Sequence, residues 1–315
     1  MTAATLAILF PGQGSQSVGM LADLADVHAE VHATFAEASE VLGRDLWAIA
    51  AEGPAEELNR TEITQPAMLC AGVAVWRCWQ ARGGPVPAAV AGHSLGEYSA
   101  LVCAGALDFS DAVGLVAERA RLMQHAVPAG TGAMAAILGL DDDRVRAVCA
   151  EQAGTEVLEP VNFNAPGQVV IAGHKAAVER GAAAAKAAGA KRAVVLAVSV
   201  PSHCALMQDS AAQLAERLAT TPLRLPAVPL LHNASAATAA DVQELRTLLA
   251  RQIYSPVRWV ETVQALRGMG ITTALEAGPG KVLTGLGKRI DKTIRILPVL
   301  DPAGLDHALE VTADA

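Results

Sequence analysis

Short apolar runs alternate with longer stretches of helical period along most of this chain. Residues 5–10, Thr-Leu-Ala-Ile-Leu-Phe, read as a buried strand closed by Pro11-Gly12. From Asp23 to about Arg82 the pattern is helical, with breaks expected at Gly43, at Gly53-Pro54 and around Thr64-Gln65-Pro66. A second apolar run at 86–91 leads into Gly92, and a helix-like run at 98–107 leads away from it. Ser110 offers an N-cap for a helix reaching about His125.

The middle of the chain changes rhythm. After a Pro- and Gly-rich linker at 128–132, residues 133–140 read as a strand and 141–153 as a helix. Strands at 157–163 and 168–172 flank the turn Asn164-Ala165-Pro166-Gly167, and an Ala-rich helix at 175–188 precedes a strand at 192–200. This β-α-β-β-α-β order is the ferredoxin-like unit. Beyond Pro201-Ser202-His203-Cys204 the helical pattern resumes to about Leu218, and a Pro-bounded strand follows at 225–232. A helix at 241–253 stops at Ser255-Pro256, another spans 257–268, and a strand at 272–276 is followed by a helix and a short strand at 294–300. The last ten or so residues are expected to fray. The fold expected is α/β: a doubly wound, hydrolase-like body (1–127 and 201–315) interrupted by a small ferredoxin-like α+β subdomain (128–200).

Composition narrows the class. With 52% hydrophobic and 18% charged residues the 315-residue chain can bury a large core, built from Ala, Val and Leu because aromatics are only 3%. No apolar run reaches the roughly 18 residues of a membrane-spanning helix. The first residues lack a basic n-region and read as a strand, not a signal peptide. Five cysteines without a C-x-x-C pair point to reduced thiols in a cytoplasmic protein, with no zinc site or disulfide framework. A net charge of −8 disfavours nucleic-acid binding.

The chemistry centres on Gly92-His93-Ser94-Leu95-Gly96. A Gly-x-Ser-x-Gly between a strand and a helix is the nucleophile-elbow pattern, in which glycines allow the sharp turn that exposes the serine. A serine nucleophile needs a base, and His203 is placed best. It follows an apolar strand and a proline, at a helix start that Ser202 could cap, where the neutral imidazole is favoured. His93 is the elbow neighbour of Ser94 and should point elsewhere, and His232, at a strand end, is a weaker candidate. Arg119 sits in the apolar stripe of Leu115, Val116, Leu122 and Met123, where a guanidinium is costly unless paired, and its plain reading is an arginine that snorkels or meets a structural carboxylate. The loop Pro11-Gly12-Gln13-Gly14-Ser15-Gln16 lacks the Lys-Ser/Thr of a phosphate loop and is either a plain turn or backbone brought close to a ligand. There is no HGG oxyanion loop of a lipase and no Asp-Gly of a patatin-like dyad. An acyltransferase, which holds an acyl group as an ester until a thiol takes it, needs neither.

The blocks LFPGQGSQ (9–16), TQPA (64–67), GHSLGEYSAL (92–101), GAMAAILGL (132–140), VNFNAPGQVVIAG (161–173), SVPSHCALM (199–207) and EAGPGKVL (276–283) occur in this order. Together they resemble the malonyl-CoA:acyl carrier protein transacylases of bacterial type II fatty-acid synthesis, over nearly the whole chain. The resemblance implies a ping-pong transfer through a malonyl ester on Ser94, with His203 as base. It also implies an oxyanion hole at the Leu95 amide and the Gln13 region, His203 oriented by groups near Gln252, and Arg119 binding the malonyl carboxylate. Gln65 and Asn162 would be secondary contacts in a cleft between the two subdomains. It implies a monomer with no cofactor beyond its substrates, malonyl-CoA and a phosphopantetheinylated carrier protein. Residues 281–295 hold Lys281, Lys288, Arg289, Lys292 and Arg295 against Asp291 alone, and this patch, with Lys191 and Arg192 beside it, is expected to dock the acidic carrier. Related acyltransferases of polyketide synthesis or malonate decarboxylation, and a non-catalytic carrier-binding protein, remain as alternatives.

Overall fold

The computed structural model describes residues 5–313 except 197 and 199. In chain order its strands are β1 (Leu6–Phe10), β2 (Ala89–Gly92), β3 (Gly132–Leu138), β4 (Leu158–Ala165) and β5 (Gln168–His174), then β6 (Arg192–Val195), β7 (Leu230–Leu231), β8 (Thr273–Ala277) and β9 (Arg295–Val299). Every residue of β1 and β2 is buried, the mark of parallel strands covered on both faces. They form the centre of a five-stranded parallel sheet in the order β7-β2-β1-β8-β9. One face packs the large core around Phe10, Phe35, Trp79 and Tyr98, and the other packs Leu9, Trp259, Val263 and Ile296. Between β2 and β7 the chain builds a separate antiparallel sheet, β4-β5-β3-β6, with a core of Ile137, Val148, Phe163 and Val178 under its two helices. That order is the ferredoxin-like one expected.

Backbone hydrogen bonds tie β4 of the antiparallel sheet to the segment before helix Trp259–Gly268 of the large body. The Val257 amide donates to the Val161 carbonyl at 2.9 Å, and the Phe163 amide donates to the Val257 carbonyl at 3.0 Å.

Several local expectations need correction. Helix Thr61–Ala81 runs unbroken through Pro66. The proline falls in its second turn and frees the carbonyl of half-exposed Glu62, while burial almost all round the helix outweighs that loss. Helix Phe109–Gln124 begins after Asp108, not at Ser110, and has no side-chain cap. The strand expected at 225–232 shrinks to Leu230–Leu231, because Pro226 and Pro229 lack the donors a longer ladder needs. Of the strand expected at 192–200 only Arg192–Val195 forms, and 197 and 199 lie outside the described residues. The expected frayed end is instead the helix Pro302–Thr312, whose start is capped by Asp301 accepting from the Gly304 amide at 2.7 Å. Leu305 and Ala308 anchor it in the core.

Candidate active site

Pro11 and His93 follow the carboxyl ends of β1 and β2, the edge where open parallel sheets bind ligands. The glycines flanking Ser94 are set by close approach. A Cβ on Gly92 would lie 1.9 Å from the Gly96 carbonyl carbon, and one on Gly96 would lie 2.1 Å from the Phe10 oxygen. Ser94 itself takes φ +50°, a left-handed conformation that a non-glycine residue holds only when its surroundings fix it. Asn233 supplies that fixation, accepting from the Ser94 amide and donating to the Gly92 carbonyl, both at 2.6 Å.

His203 reaches Ser94, with Nε2 2.8 Å from Oγ. Its Nδ1 lies 2.8 Å from the backbone carbonyl of Gln252, so Nδ1 carries the proton and Nε2 is free to accept the serine's. Burial, and then the positive charge of Arg119, push its pKa down to about 3, which keeps the ring neutral. The expected helix start and Ser202 cap are not what hold it. His203 sits in a turn before the short helix Ala205–Met207, at φ +68°, with its amide donating to the Ile253 carbonyl at 2.9 Å. That helix is preceded by Cys204 without a side-chain cap. The other two histidines near the elbow are engaged elsewhere. His93 Nε2 is 2.7 Å from Asn164 Oδ1, and His232 Nδ1 is 2.7 Å from Glu97 Oε1.

Arg119 is 1% exposed, and among the described residues it makes no ion pair. Two amide oxygens hold it instead: Gln65 Oε1 accepts from Nη1 at 2.5 Å, and Gln252 Oε1 accepts from Nη2 at 2.9 Å. Nη2 also lies 3.3 Å from Ser94 Oγ. Neutral partners aim the guanidinium without cancelling its charge, and burial lowers its pKa by disfavouring the charged form. Arg121, on the polar side of the same helix, pairs with Glu118 at the surface.

A cleft of about 250 Å³ opens over these groups. Gln13, Ser94, Leu95, Arg119 and His203 line its floor, and Met134, Asn162, Gln168 and Val170 of the antiparallel sheet line a wall. Among the described residues the backbone amides of Gln13 and Leu95 have no acceptor, so both are available to an oxygen in the cleft. Asn162 reaches the cleft but makes no side-chain hydrogen bond with Ser94, His203 or Arg119.

Val282, Leu283 and Leu286 of helix Val282–Ile290 also line the cleft. The buried carboxylate of Glu276 caps that helix, accepting from the Leu283 amide at 2.8 Å and from the Thr284 amide and hydroxyl at 2.7 Å. Lys281, Lys288 and Lys292 are exposed. Arg289 is not a free cation, because it donates to Gln168 Oε1 and, at 3.2 Å, to the Pro166 carbonyl.

Sequence reasoning missed Glu97, Asn233 and Glu276. Two of them stood inside quoted motif blocks, where a carboxylate beside a glycine turn is the signal of a backbone-binding role.

The chain matches the acyl transferase domain family model over residues 8–304. It is 57% identical over 303 residues to the malonyl CoA-acyl carrier protein transacylase of Salmonella typhimurium, covering 96% of this chain and 98% of the relative. Identity to the protein of the same name from Bacillus subtilis is 42% over 306 residues, covering 97% and 96%. Among solved structures, an acyl carrier protein S-malonyltransferase from Vibrio cholerae superposes with a TM-score of 0.95 at 57% identity, covering 96% of this chain and 99% of the other. A type II PKS acyl-carrier protein in complex with its malonyl-transacylase gives a TM-score of 0.97 at 55% identity, covering 98% and 100%.

Proposed function

The chain belongs to the acyl transferase family, and on that premise we propose how its own residues work. It transfers the malonyl group from malonyl-CoA to the phosphopantetheine thiol of an acyl carrier protein. Ser94 Oγ attacks the thioester carbonyl while His203 Nε2 takes the hydroxyl proton. The tetrahedral oxyanion is held by the Leu95 and Gln13 amides, donors of a kind worth about 10²–10³ each in other enzymes. The carbon–sulfur bond then breaks, and the CoA sulfur leaves with the proton from His203. The carrier thiol enters, gives its proton to His203 and attacks the ester, and Ser94 recovers the proton as the product departs.

The Gln252 carbonyl orients His203 in the role that an Asp plays in a triad. Arg119 binds the free malonyl carboxylate in a two-pronged contact that Lys reproduces poorly. Gln65 and Gln252 aim it, and Asn162 is a wall contact. This mechanism needs no cofactor, since nucleophile, base and oxyanion donors all belong to the chain. Subdomains at 1–127 with 201–315 and at 128–200 would put the cleft at their seam. The described residues contain no helix long and apolar enough to cross a membrane, and five free thiols fit a reducing cytoplasm.

One observation carries the residue assignment: a buried arginine with no carboxylate partner among the described residues stands beside a serine–histidine pair. Incubation with radiolabelled malonyl-CoA followed by a denaturing gel tests it. The wild type should carry a stable label that Ser94→Ala lacks, and an unlabelled wild type would refute the mechanism. The neighbour solved with a polyketide carrier supports a second reading, service to such a carrier. Transfer rates to fatty-acid and polyketide carriers compared side by side decide between them.

A further inference from the structure

One buried carboxylate is linked to Arg119 through a single amide side chain and makes no ion pair with it among the described residues. Glu97 lies in the first turn of helix Gly96–Cys103 and is fully buried. Its Oε1 faces His232 Nδ1, and its Oε2 accepts from the Asn233 amide at 2.9 Å and from Gln252 Nε2 at 2.8 Å. The second Nε2 hydrogen of Gln252 goes to the Ser94 carbonyl at 2.9 Å. Both donors of this buried amide are therefore spent on acceptors, and its oxygen has one direction left, toward Arg119 Nη2. The reversed amide would set its NH₂ against the guanidinium and its oxygen against the carboxylate. Buried donors facing donors and acceptors facing acceptors are strongly disfavoured.

We propose that Glu97 is a positioning residue for malonyl selectivity, acting through the side chain of Gln252. The carboxylate fixes which end of the amide meets Arg119. The amide in turn keeps carboxylate and guanidinium apart. A Glu in direct contact would pair with Arg119 and neutralise the charge that the substrate carboxylate needs. With one amide interposed, the arginine is aimed from Gln65 and Gln252 by neutral oxygens and stays free to bind an anion. Asn233 joins the same unit, because its backbone amide donates to Glu97 and its side chain holds the elbow. This inference rests on the proposed role of Arg119.

The role needs acceptors at position 97 and does not need the charge. A glutamine there can accept from Asn233 and Gln252 with its oxygen and donate to His232 Nδ1 in the other ring tautomer. The test compares kcat/KM for malonyl-CoA and acetyl-CoA in wild type, Glu97→Met, Glu97→Asp and Glu97→Gln, since acetyl lacks the carboxylate that Arg119 reads. Glu97→Met, close in length but without acceptors, should lower the malonyl-to-acetyl ratio about tenfold or more, the scale of one hydrogen bond to a charged group. Glu97→Asp, which keeps a carboxylate but withdraws it from Gln252, should lower the ratio by about threefold, mostly through a higher KM for malonyl-CoA. Glu97→Gln should restore the wild-type ratio. If Glu97→Met fails to fold, Glu97→Asp and Glu97→Gln carry the test alone. Equal losses on both substrates, or a Glu97→Asp ratio unchanged from wild type, would overturn the positioning role while leaving the transfer mechanism standing. A wild type that forms no malonyl ester would fail the mechanism itself and be recognised before any variant is made.

Discussion

The floor of the cleft and its rim both carry positive charge, and they hold it in opposite ways. On the floor, Arg119 is 1% exposed and bonded to Gln65, Gln252 and Ser94. The rim is taken as helix Val282–Ile290 and its flanks, since Val282, Leu283 and Leu286 line the cleft, and there Lys281, Lys288 and Lys292 stand in solvent. A buried guanidinium has lost its water, so its interaction with an incoming carboxylate is strong and directional, whereas exposed ammonium groups act through a screened field that adds over several residues. On the proposed mechanism, the contrast would suit the two jobs of a ping-pong transferase. Selecting the acyl group requires one sharp contact, and meeting a whole carrier protein requires a diffuse one that also lets go.

The largest effect should come from the floor. Arg119→Ala is expected to lower kcat/KM for malonyl-CoA by about 10²–10³, because it removes a two-pronged charged contact. Acetyl transfer should lose far less, since acetyl offers no carboxylate. Steady-state assays with both thioesters check this, and equal losses would mean that Arg119 serves the fold alone.

The same arginine affects the base. His203 is pushed down to about 3 first by burial and second by Arg119, so the neutral, proton-accepting ring persists well below its ordinary value near 6.5. The sign follows: activity falls when the ring is protonated, so the acid limb of kcat/KM should lie clearly below pH 6 in the wild type. Arg119→Ala removes one cause of the lowering and leaves burial in place, so its acid limb should move upward without reaching 6.5. The check is a pH profile of each protein with acetyl-CoA, which reports the ring without the malonyl contact. A wild-type limb at 6.5 would show that the floor does not act on the base.

Floor and rim also differed in how far the chain alone revealed them. Ser94 and His203 were legible because an elbow is a local pattern and the base follows the return from the small domain. Arg119 was legible because a charge in an apolar stripe breaks the helical period. What held them was not legible in the pattern: Gln252 entered only through the family resemblance, and Asn233 not at all. Asn233 and Gln252 lie 139 and 158 residues from Ser94, and nothing in the period of a helix or the punctuation of a loop reports pairings over such distances. The failures in the fold share a cause. Pro66 reads as a breaker because local rules omit the burial that carries helix Thr61–Ala81 through it, and Ser202 reads as a cap because the left-handed turn at His203 is imposed by contact with Ile253.

The rim yields the smallest expected effect, and the structure changes how it should be probed. Charge alone would select Lys288 and Arg289 as the pair to reverse. Arg289, however, ties helix Val282–Ile290 to the turn before β5 through Pro166 and Gln168, so its reversal would disturb the wall of the cleft as well as the docking field. Lys288 and Lys292 are exposed and make no salt bridge among the described residues, so Lys288→Glu with Lys292→Glu changes the field alone. The double variant should raise KM for the carrier protein by about three- to tenfold at low salt, with the difference shrinking as ionic strength rises. Its hydrolysis of malonyl-CoA should match the wild type, because the proposed acylation of Ser94 would take place on the floor. A loss that is equal in both assays, or indifferent to salt, would move the carrier's landing site away from this helix.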